Sequence, residues 1–276
     1  MTYYEIFSDQ LNHYEETVEK IFQSPLPDST KIGENVLRQG FKKPKHNYLI
    51  CFTNRSGSTL LAMTLAKTDA MGIPGEMFNP EPLTQARQKQ GIASFNDFLD
   101  FKIQSTTRRG AFGAKVGIHQ LAYLAKHGYL KDKLSSPRFI YITRKDIVMQ
   151  AVSLYIAWQT GAWSSNARTA AAKPEYSMEG IAQQLKSILT IQAQFEAFFA
   201  AHQIQPLRLT YEAIEADLEG KALHVCRYVG IPHPRKLQFA YPGLNKQRTE
   251  LNEEWAARFI AEYKETLMPT VTTAND

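Results

Sequence analysis

One stretch of the sequence restricts the fold more than any other, because it has the pattern of a buried strand that turns directly into a helix. Residues 48–52 form a continuous apolar run, and after a short polar turn residues 60–66 carry a helical pattern. A strand without polar alternation is typical of a parallel sheet that is covered on both faces. Similar short apolar runs follow at residues 113–116, 139–142 and 207–209.

Helical patterns separate these runs, at residues 119–126, 147–158, 181–201 and 213–229. Strands that alternate with helices are joined by crossovers, which make the strands parallel and place helices on both faces of the sheet. The sequence therefore predicts an α/β fold of three layers, with a central, mostly parallel sheet flanked by helices. In such folds the ligand binds at the carboxyl ends of the strands.

The beginning of the chain has a different pattern. Apolar residues recur at helical spacing from Phe7 to Ile21, and a polar stretch punctuated by prolines begins at Pro25. We therefore expect an N-terminal amphipathic helix and linker at residues 1–46 and one large domain at residues 47–276. The helix either packs against its own domain or forms the contact of a homodimer.

Composition limits the class of protein and of ligand. The 276 residues include 32 basic and 27 acidic ones, and the net charge of +5 suits an anionic ligand without requiring one. The two cysteines give no basis for a disulfide framework or a multi-cysteine metal cluster. No apolar run reaches the roughly 18 residues of a spanning helix, and the N-terminus lacks the layout of a secretion signal. We expect a cytoplasmic protein with no membrane span.

The turn after the first strand has the composition of an anion site. Backbone N–H groups converge at the start of the following helix, and Ser56, Ser58 and Thr59 add hydroxyl donors around Gly57. Arg55 adds a charged donor. The first glycine and the lysine of a nucleoside triphosphate loop are missing, which disfavours magnesium-dependent phosphoryl transfer. A phosphate or sulfate site and a capped structural turn both remain open.

A second anion site is indicated after the strand at residues 139–142. Asp146 is suited to cap the next helix, on which Asp146, Gln150 and Ser153 share one face. This polar stripe either faces solvent or, together with Arg144, holds a second phosphate. Two anion sites at separate strand ends would fit a nucleotide that carries phosphate at both ends of its ribose.

Four blocks of sequence carry a resemblance to a known family. They are Arg-Ser-Gly-Ser-Thr-Leu-Leu at 55–61, Gly-Ile-Pro-Gly-Glu-Met-Phe-Asn at 72–79, Gly-Ala-Lys at 113–115, and the segment 144–163 that contains Arg-Lys-Asp and Gln-Ala-Val-Ser. Together they resemble the sulfotransferases that use 3′-phosphoadenosine 5′-phosphosulfate, in particular the bacterial carbohydrate sulfotransferases of the trehalose 2-sulfotransferase type. The resemblance implies a P-loop-like version of the expected fold, with the sulfotransferase domain at residues 47–276.

The resemblance also assigns the donor-binding residues. It implies that the 5′-phosphosulfate is held by the first loop, Arg55, Ser56, Gly57, Ser58 and Thr59, and the 3′-phosphate by Arg144 and Ser153. Lys246 and Arg248, in a basic segment before the last tryptophan, are assigned to the nucleotide on a looser pattern. The implied donor is 3′-phosphoadenosine 5′-phosphosulfate, which leaves as adenosine 3′,5′-bisphosphate, and no metal is expected to be required.

Sulfuryl transfer needs a base for the acceptor hydroxyl and positive charge around the transferred group. Arg55 suits the second task. For the first, the resemblance implies Glu76, and we expect the pKa of this carboxyl to be raised by its apolar neighbours. His119 is the rival base. Lys115, at the end of a strand, either steadies the sulfate or an acceptor hydroxyl or is simply exposed.

The implied function is in-line transfer to a hydroxyl of a carbohydrate or glycolipid. We expect loops between Glu76 and Arg109 to recognise this acceptor, and Trp163 and Trp158 to face the sugar unless Trp158 packs in the core. No nucleic acid partner is expected, and a homodimer stays open. The alternatives are a nucleotide-dependent kinase and a non-catalytic nucleotide-binding module.

Overall fold

The computed structural model describes residues 8–26, 42–163, 173–232, 238–239 and 249–267. The strands in these residues are β1 (His46–Phe52), β2 (Ala111–Val116), β3 (Arg138–Thr143) and β4 (Leu207–Thr210). The helices are α1 (Ser8–Gln23), α2 (Ser58–Lys67), α3 (Pro80–Gln90), α4 (Phe95–Thr106), α5 (Ile118–Lys126), α6 (Tyr129–Asp132), α7 (Ile147–Thr160), α8 (Met178–Ala201), α9 (Tyr211–Ala216), α10 (Leu218–Val229) and α11 (Glu250–Leu267).

The described strands form one parallel sheet in the order β2-β1-β3-β4, which confirms the predicted α/β fold with a parallel sheet flanked by helices. In the central strand, Ile50 lies opposite Lys115 on one side and Ile140 on the other. This register brings the carboxyl ends of β1, β2 and β3 to the same edge of the sheet. The turns that follow these strands contain the residues predicted to bind anions.

Both faces of the sheet are buried, which explains why β1 is apolar throughout. Leu49 and Cys51 belong to a core cluster that includes residues of α1, α4, α5 and α8. Tyr48 and Ile50 point to the opposite face, into a cluster with residues of α2 and α10. Since successive side chains of a strand point to opposite faces, a run covered on both sides has no polar positions.

The predicted helices at 60–66, 119–126, 147–158 and 181–201 are confirmed as parts of α2, α5, α7 and α8. The single helix predicted at 213–229 is wrong, because α9 and α10 divide it at Asp217. Asp217 has extended backbone torsion (φ −148°), and its Oδ1 atom accepts a hydrogen bond of 2.9 Å from the N–H of Gly220. This cap starts a new helix in the middle of the continuous apolar pattern.

The loops expected between Glu76 and Arg109 are instead largely the helices α3 and α4. Pro80 stands at the first position of α3, and Gly91 ends that helix in the left-handed conformation (φ 67°). Ser94 caps α4 by accepting a 3.1 Å hydrogen bond from the N–H of Asp97. The buried aromatic side chains of Phe95 and Phe98, three positions apart, then attach α4 to the core.

Helix α1 has the predicted amphipathic character, and its apolar face packs against α3 and α5. Leu11, Tyr14 and Val18 are buried on that face. The part of the linker at residues 27–41 lies outside the described residues. Within the described segments, none of the helices is both long enough and apolar enough to cross a membrane.

The close packing of Tyr48 on Gly113 gives a test of the sheet. A Cβ atom added at Gly113 would overlap the buried ring of Tyr48, whereas one added at Gly75 would meet no atom within 4 Å. We expect Gly113→Ala to lower the free energy of unfolding by about 1–3 kcal/mol, as overpacking does. Urea unfolding measures this, with Gly75→Ala as the control. Equal stability of the two variants would contradict the packing described.

Candidate active site

A cavity of ≈ 860 Å³ lies at the carboxyl edge of the sheet. The residues that line it include Arg55, Thr59, Glu76, Lys115, Arg144 and Ser153. Arg55 and Arg144 follow β1 and β3, Thr59 and Ser153 lie in α2 and α7, Lys115 is in β2, and Glu76 precedes α3. The fold therefore joins residues that the sequence separates. Ser58, Gly57 and His119 line the same cavity.

The turn after β1 leaves polar groups without partners among the residues that the structure describes. Gly57 precedes α2 in the left-handed conformation (φ 79°), and no side chain caps the helix N-terminus. A Cβ atom at Gly57 would overlap the ring of Tyr211, so a larger residue is excluded by both torsion and space. The Ser56 hydroxyl is buried and has no hydrogen-bond partner in the described part of the chain. A buried donor without a partner is costly, which favours an anion site over a purely structural turn.

In the polar stripe of α7, Gln150 and Ser153 are buried, whereas Asp146 is exposed. Gln150 is fully buried, and its Nε2 atom donates hydrogen bonds of 2.8 Å to Thr53 Oγ1 and 2.7 Å to the carbonyl of Asn54. Asp146 caps the helix as predicted, accepting from the N–H of Met149 at 3.0 Å. The helix therefore fixes the backbone of the first anion loop.

The two predicted anion sites are in direct contact. Arg55 donates from Nε to Ser153 Oγ at 2.9 Å and from Nη1 to the carbonyl of Trp163 at 3.2 Å. Burial lowers the pKa of Arg55, and the nearby charge of Arg144 lowers it further. The Nε atom of Arg144 is buried and has no hydrogen-bond partner among the described residues. Two adjacent guanidinium groups repel each other, and a bound anion would relieve this repulsion.

Two further residues, Tyr211 and Glu212, contact the turns after β1 and β3 and hold them in place. The Arg144 guanidinium lies 4.8 Å from the centroid of the Tyr211 ring, which also covers Gly57. The Glu212 carboxylate accepts hydrogen bonds from the backbone N–H groups of Lys145 at 3.1 Å and Asp146 at 3.2 Å. Burial raises the pKa of Glu212, but these N–H groups and Arg144 outweigh it and lower the pKa. The sequence analysis missed both residues, although they directly follow the predicted strand at 207–209.

Glu76 forms an ion pair with Lys115 at 2.5 Å, and the same Nζ atom donates to Thr59 Oγ1 at 2.9 Å. Lys115 is only 3% exposed, so it is not a simple surface lysine. Burial raises the pKa of Glu76, but the charge and hydrogen bond of Lys115 and the amide of Asn79 lower it more. The raised pKa expected for Glu76 is therefore wrong, because a buried cation compensates for the lost solvent.

Asn79 and Gln120, neither of which was singled out in the sequence, orient Glu76. Asn79 donates to Glu76 Oε2 at 3.0 Å and accepts from Gln120 Nε2 at 2.8 Å. Gln120 in turn accepts from the N–H of Gly117 at 3.0 Å. Helix-start signals in the sequence could have identified both residues. Asn79 directly precedes Pro80 at the start of α3, and Gln120 is the third residue of α5, where a side chain can bond back to the backbone before the helix.

His119 lies on the same side of the cavity, with its ring centroid 5.2 Å from that of Tyr14. Burial lowers its pKa, and the neighbouring His13 lowers it further, which favours the neutral imidazole. Trp163 lines the cavity, as the sugar-facing hypothesis requires. Trp158 is 66% exposed, so its packing in the core is wrong.

Lys246 and Arg248 lie outside the described residues, and their assignment stays a prediction. In the described segments, no group of three or more His, Cys, Asp or Glu side chains is arranged to hold a metal ion.

Comparisons with known proteins identify the family. The chain is 27% identical to the trehalose 2-sulfotransferase of Mycobacterium tuberculosis strain Erdman, over 81% of this chain and 97% of the relative. It is 26% identical to the trehalose 2-sulfotransferase of Mycolicibacterium smegmatis, over 77% of this chain and 93% of the relative. The crystal structure of a sulfotransferase from Alicyclobacillus acidocaldarius aligns with a TM-score of 0.47 at 14% identity, over 80% of this chain and 95% of that one.

The family match covers the fold and the cavity described above. The model of the Stf0 sulphotransferase family matches residues 47–262, a range that contains the described strands except for His46, the first residue of β1, and every cavity residue named here. This favours the first of the three functional hypotheses over the kinase and the non-catalytic module. The chain belongs to the Stf0 sulphotransferase family.

Proposed function

We propose that this enzyme transfers a sulfuryl group from 3′-phosphoadenosine 5′-phosphosulfate to a hydroxyl of a carbohydrate, with trehalose as the first acceptor to test. The observation that carries the proposal is the contact between the two anion sites. Arg55, Ser153 and Arg144 meet in one cavity, where a single nucleotide can reach both arginines. A ligand with two anionic groups fits this arrangement better than one with a single phosphate.

The chain offers separate groups for each end of such a donor. The uncapped N-terminus of α2, the Ser56 hydroxyl and Thr59 suit the phosphosulfate, and Arg144 with Ser153 suits the 3′-phosphate. When bound, the donor supplies the sulfuryl group: an oxygen–sulfur bond forms to the acceptor, the sulfur–oxygen bond to the 5′-phosphate breaks, and adenosine 3′,5′-bisphosphate leaves. Arg55 neutralises negative charge between the two ends of the site.

Glu76 is the proposed base for the acceptor proton. Its lowered pKa keeps the side chain ionised near neutral pH, so it can accept a proton there. Lys115 lies between Glu76 and Thr59, and therefore between the proposed base and the donor loop. In this position Lys115 balances the charge of Glu76 and can also contact the transferred group. His119, held neutral by burial, is the alternative base.

The acceptor side of the cavity has the side chains that bind sugars. Asn79, Gln120 and Glu81 offer amide and carboxylate groups for several hydroxyls, and Trp163 offers an indole face. The two curated relatives are named for sulfation of trehalose at position 2. A carbohydrate with several hydroxyls is the acceptor class that these groups favour.

The direct test is transfer of radiolabelled sulfate from the purified donor to trehalose and to a panel of other sugars. We expect a sulfated sugar with the wild-type chain and almost none with Arg55→Ala. Normal transfer by Arg55→Ala would count against the proposed site. Phosphorylation of the sugar with ATP, and no sulfation, would support the kinase, and tight nucleotide binding without turnover on any acceptor would support the non-catalytic module.

Removal of Arg144 should affect the 3′-phosphate selectively. We expect Arg144→Gln to weaken binding of adenosine 3′,5′-bisphosphate by roughly tenfold or more, the value of a hydrogen bond between charged groups. Binding of adenosine 5′-monophosphate should change little. Calorimetric titration measures both affinities, with Arg109→Gln as a control because Arg109 is exposed and far from the cavity lining. Equal losses for the two nucleotides would place Arg144 elsewhere on the ligand.

Removal of Lys115 should shift the pH dependence of the reaction. Without this cation, burial acts on Glu76 with less opposition, so its pKa rises. The base must be deprotonated, and we therefore expect the acidic limb of the kcat/KM profile to move to higher pH in Lys115→Met. Lys102→Met is the matched control, because Lys102 packs against Phe98 and Phe101.

Glu76→Gln should remove this acidic limb and lower kcat roughly 10²–10⁴-fold, the usual contribution of a general base. Its affinity for adenosine 3′,5′-bisphosphate should stay near that of the wild type. If Glu76→Gln keeps full activity, His119 becomes the candidate base.

A further inference from the structure

We propose that the N-terminal helix α1 supports the acceptor side of the cavity from behind its lining, and that Tyr14 is a positioning residue for the segment that carries Glu76. Helix α1 (Ser8–Gln23) lies outside residues 47–262, the range that the family model matches. The family match therefore assigns it no role. The proposal rests on the proposed function, since it concerns the base and the acceptor of that reaction.

The central contact is made by the hydroxyl of Tyr14. This side chain is 4% exposed, and its hydroxyl donates a hydrogen bond of 2.7 Å to the backbone carbonyl of Phe78. Phe78 stands between Glu76 and Asn79, which are themselves joined by a hydrogen bond between their side chains and one between their backbones. A shift of the Phe78 carbonyl would therefore move both the proposed base and the amide that orients it.

Tyr14 also contacts the second wall of the acceptor side. Its ring packs against His119 with centroids 5.2 Å apart, and against Tyr123 one turn later in α5 at 5.4 Å. His13, the preceding residue of α1, lies close enough to lower the pKa of His119. One helical turn of α1 thus supports both candidate bases, Glu76 and His119.

Other contacts attach α1 to the two helices α3 and α5. Glu15 pairs with Lys126 at 2.7 Å and with His127 at 3.0 Å, at the end of α5. Just after the C-terminal end of α1, the carbonyl of Ser24 accepts a hydrogen bond of 2.8 Å from Nε of Arg87, a buried residue of α3. Helices α3 and α5 begin at the site, next to Asn79 and Gly117. Helix α1 therefore braces α3 and α5 along their length, with Tyr14 near their starts and Glu15 and Ser24 near their ends.

Donor residues are not part of this brace. Arg55, Ser153 and Arg144 lie in the turns after β1 and β3 and in α7, and no described contact joins α1 to them. A change at Tyr14 should consequently affect the transfer step and leave nucleotide binding intact.

The test compares two tyrosines that make the same kind of bond. Tyr48 is also buried, and its hydroxyl donates to the carbonyl of Met71 at 2.7 Å, in the core cluster on the other face of the sheet from Phe78. We expect Tyr14→Phe and Tyr48→Phe to lower Tm to a similar extent. Only Tyr14→Phe should lower kcat, roughly fivefold, the equivalent of one lost hydrogen bond. The affinity for adenosine 3′,5′-bisphosphate should stay within about twofold of wild type in both variants.

A second measurement does not depend on the acceptor. Amide hydrogen exchange in the ligand-free chain should be faster across residues 76–83 in Tyr14→Phe and unchanged there in Tyr48→Phe. Unchanged exchange in Tyr14→Phe, or equal kcat in the two variants, would overturn the proposal. A wild-type chain that transfers no sulfate to any sugar would instead contradict the proposed function, and the exchange result would still decide the role of Tyr14.

Discussion

Two arginine side chains line one cavity at the carboxyl edge of a parallel sheet, and the rest of the site is arranged around the repulsion between them. Arg55 and Arg144 come from turns after different strands, and the charge of Arg144 lowers the pKa of Arg55. The hydroxyl of Ser56, the neighbour of Arg55 in the chain, is also buried without a hydrogen-bond partner among the described residues. A fold that holds such groups together without a ligand gives up stability for binding, as functional sites commonly do.

The surrounding elements keep this arrangement rigid. Gln150 in α7 binds the turn after β1, and Glu212 in α9 binds the turn after β3. The ring of Tyr211 contacts both, since it covers Gly57 and lies under Arg144. The opposite side of the cavity is neutralised internally, because the buried Lys115 forms an ion pair with the partly exposed Glu76. One side of the site therefore attracts an anion, and the other presents a carboxylate whose charge is already balanced.

Short sequence patterns predicted those parts of the structure that depend mainly on neighbouring residues. The apolar run at 48–52, the small residues after it and the cap at Asp146 identified the strand, the turn into α2 and the start of α7. The pKa of Glu76 was misjudged because the deciding cation, Lys115, is 39 residues away in the sequence. Lys115 is held beside Glu76 by a long-range hydrogen bond of 2.9 Å from its backbone N–H to the carbonyl of Gly75, which the sequence alone does not give.

The same limit explains the other differences. Helices α3 and α4 have visible start signals, Pro80 and Ser94. The elements that their apolar faces pack against, α1 and α5, are known only from the structure. The polar stripe on α7 was predicted correctly, but its binding partner was not. The structure shows that Gln150 donates a hydrogen bond to Thr53. Residues that act across the fold, such as Tyr14, Tyr211 and Glu212, carry no motif of their own.

The most direct measurement is a crystal structure of the chain with adenosine 3′,5′-bisphosphate. The account predicts one nucleotide in the cavity, with Arg55 and Arg144 both within hydrogen-bond distance of its phosphates and Ser56 satisfied. A nucleotide bound outside the cavity, or in contact with only one of the two arginines, would contradict it.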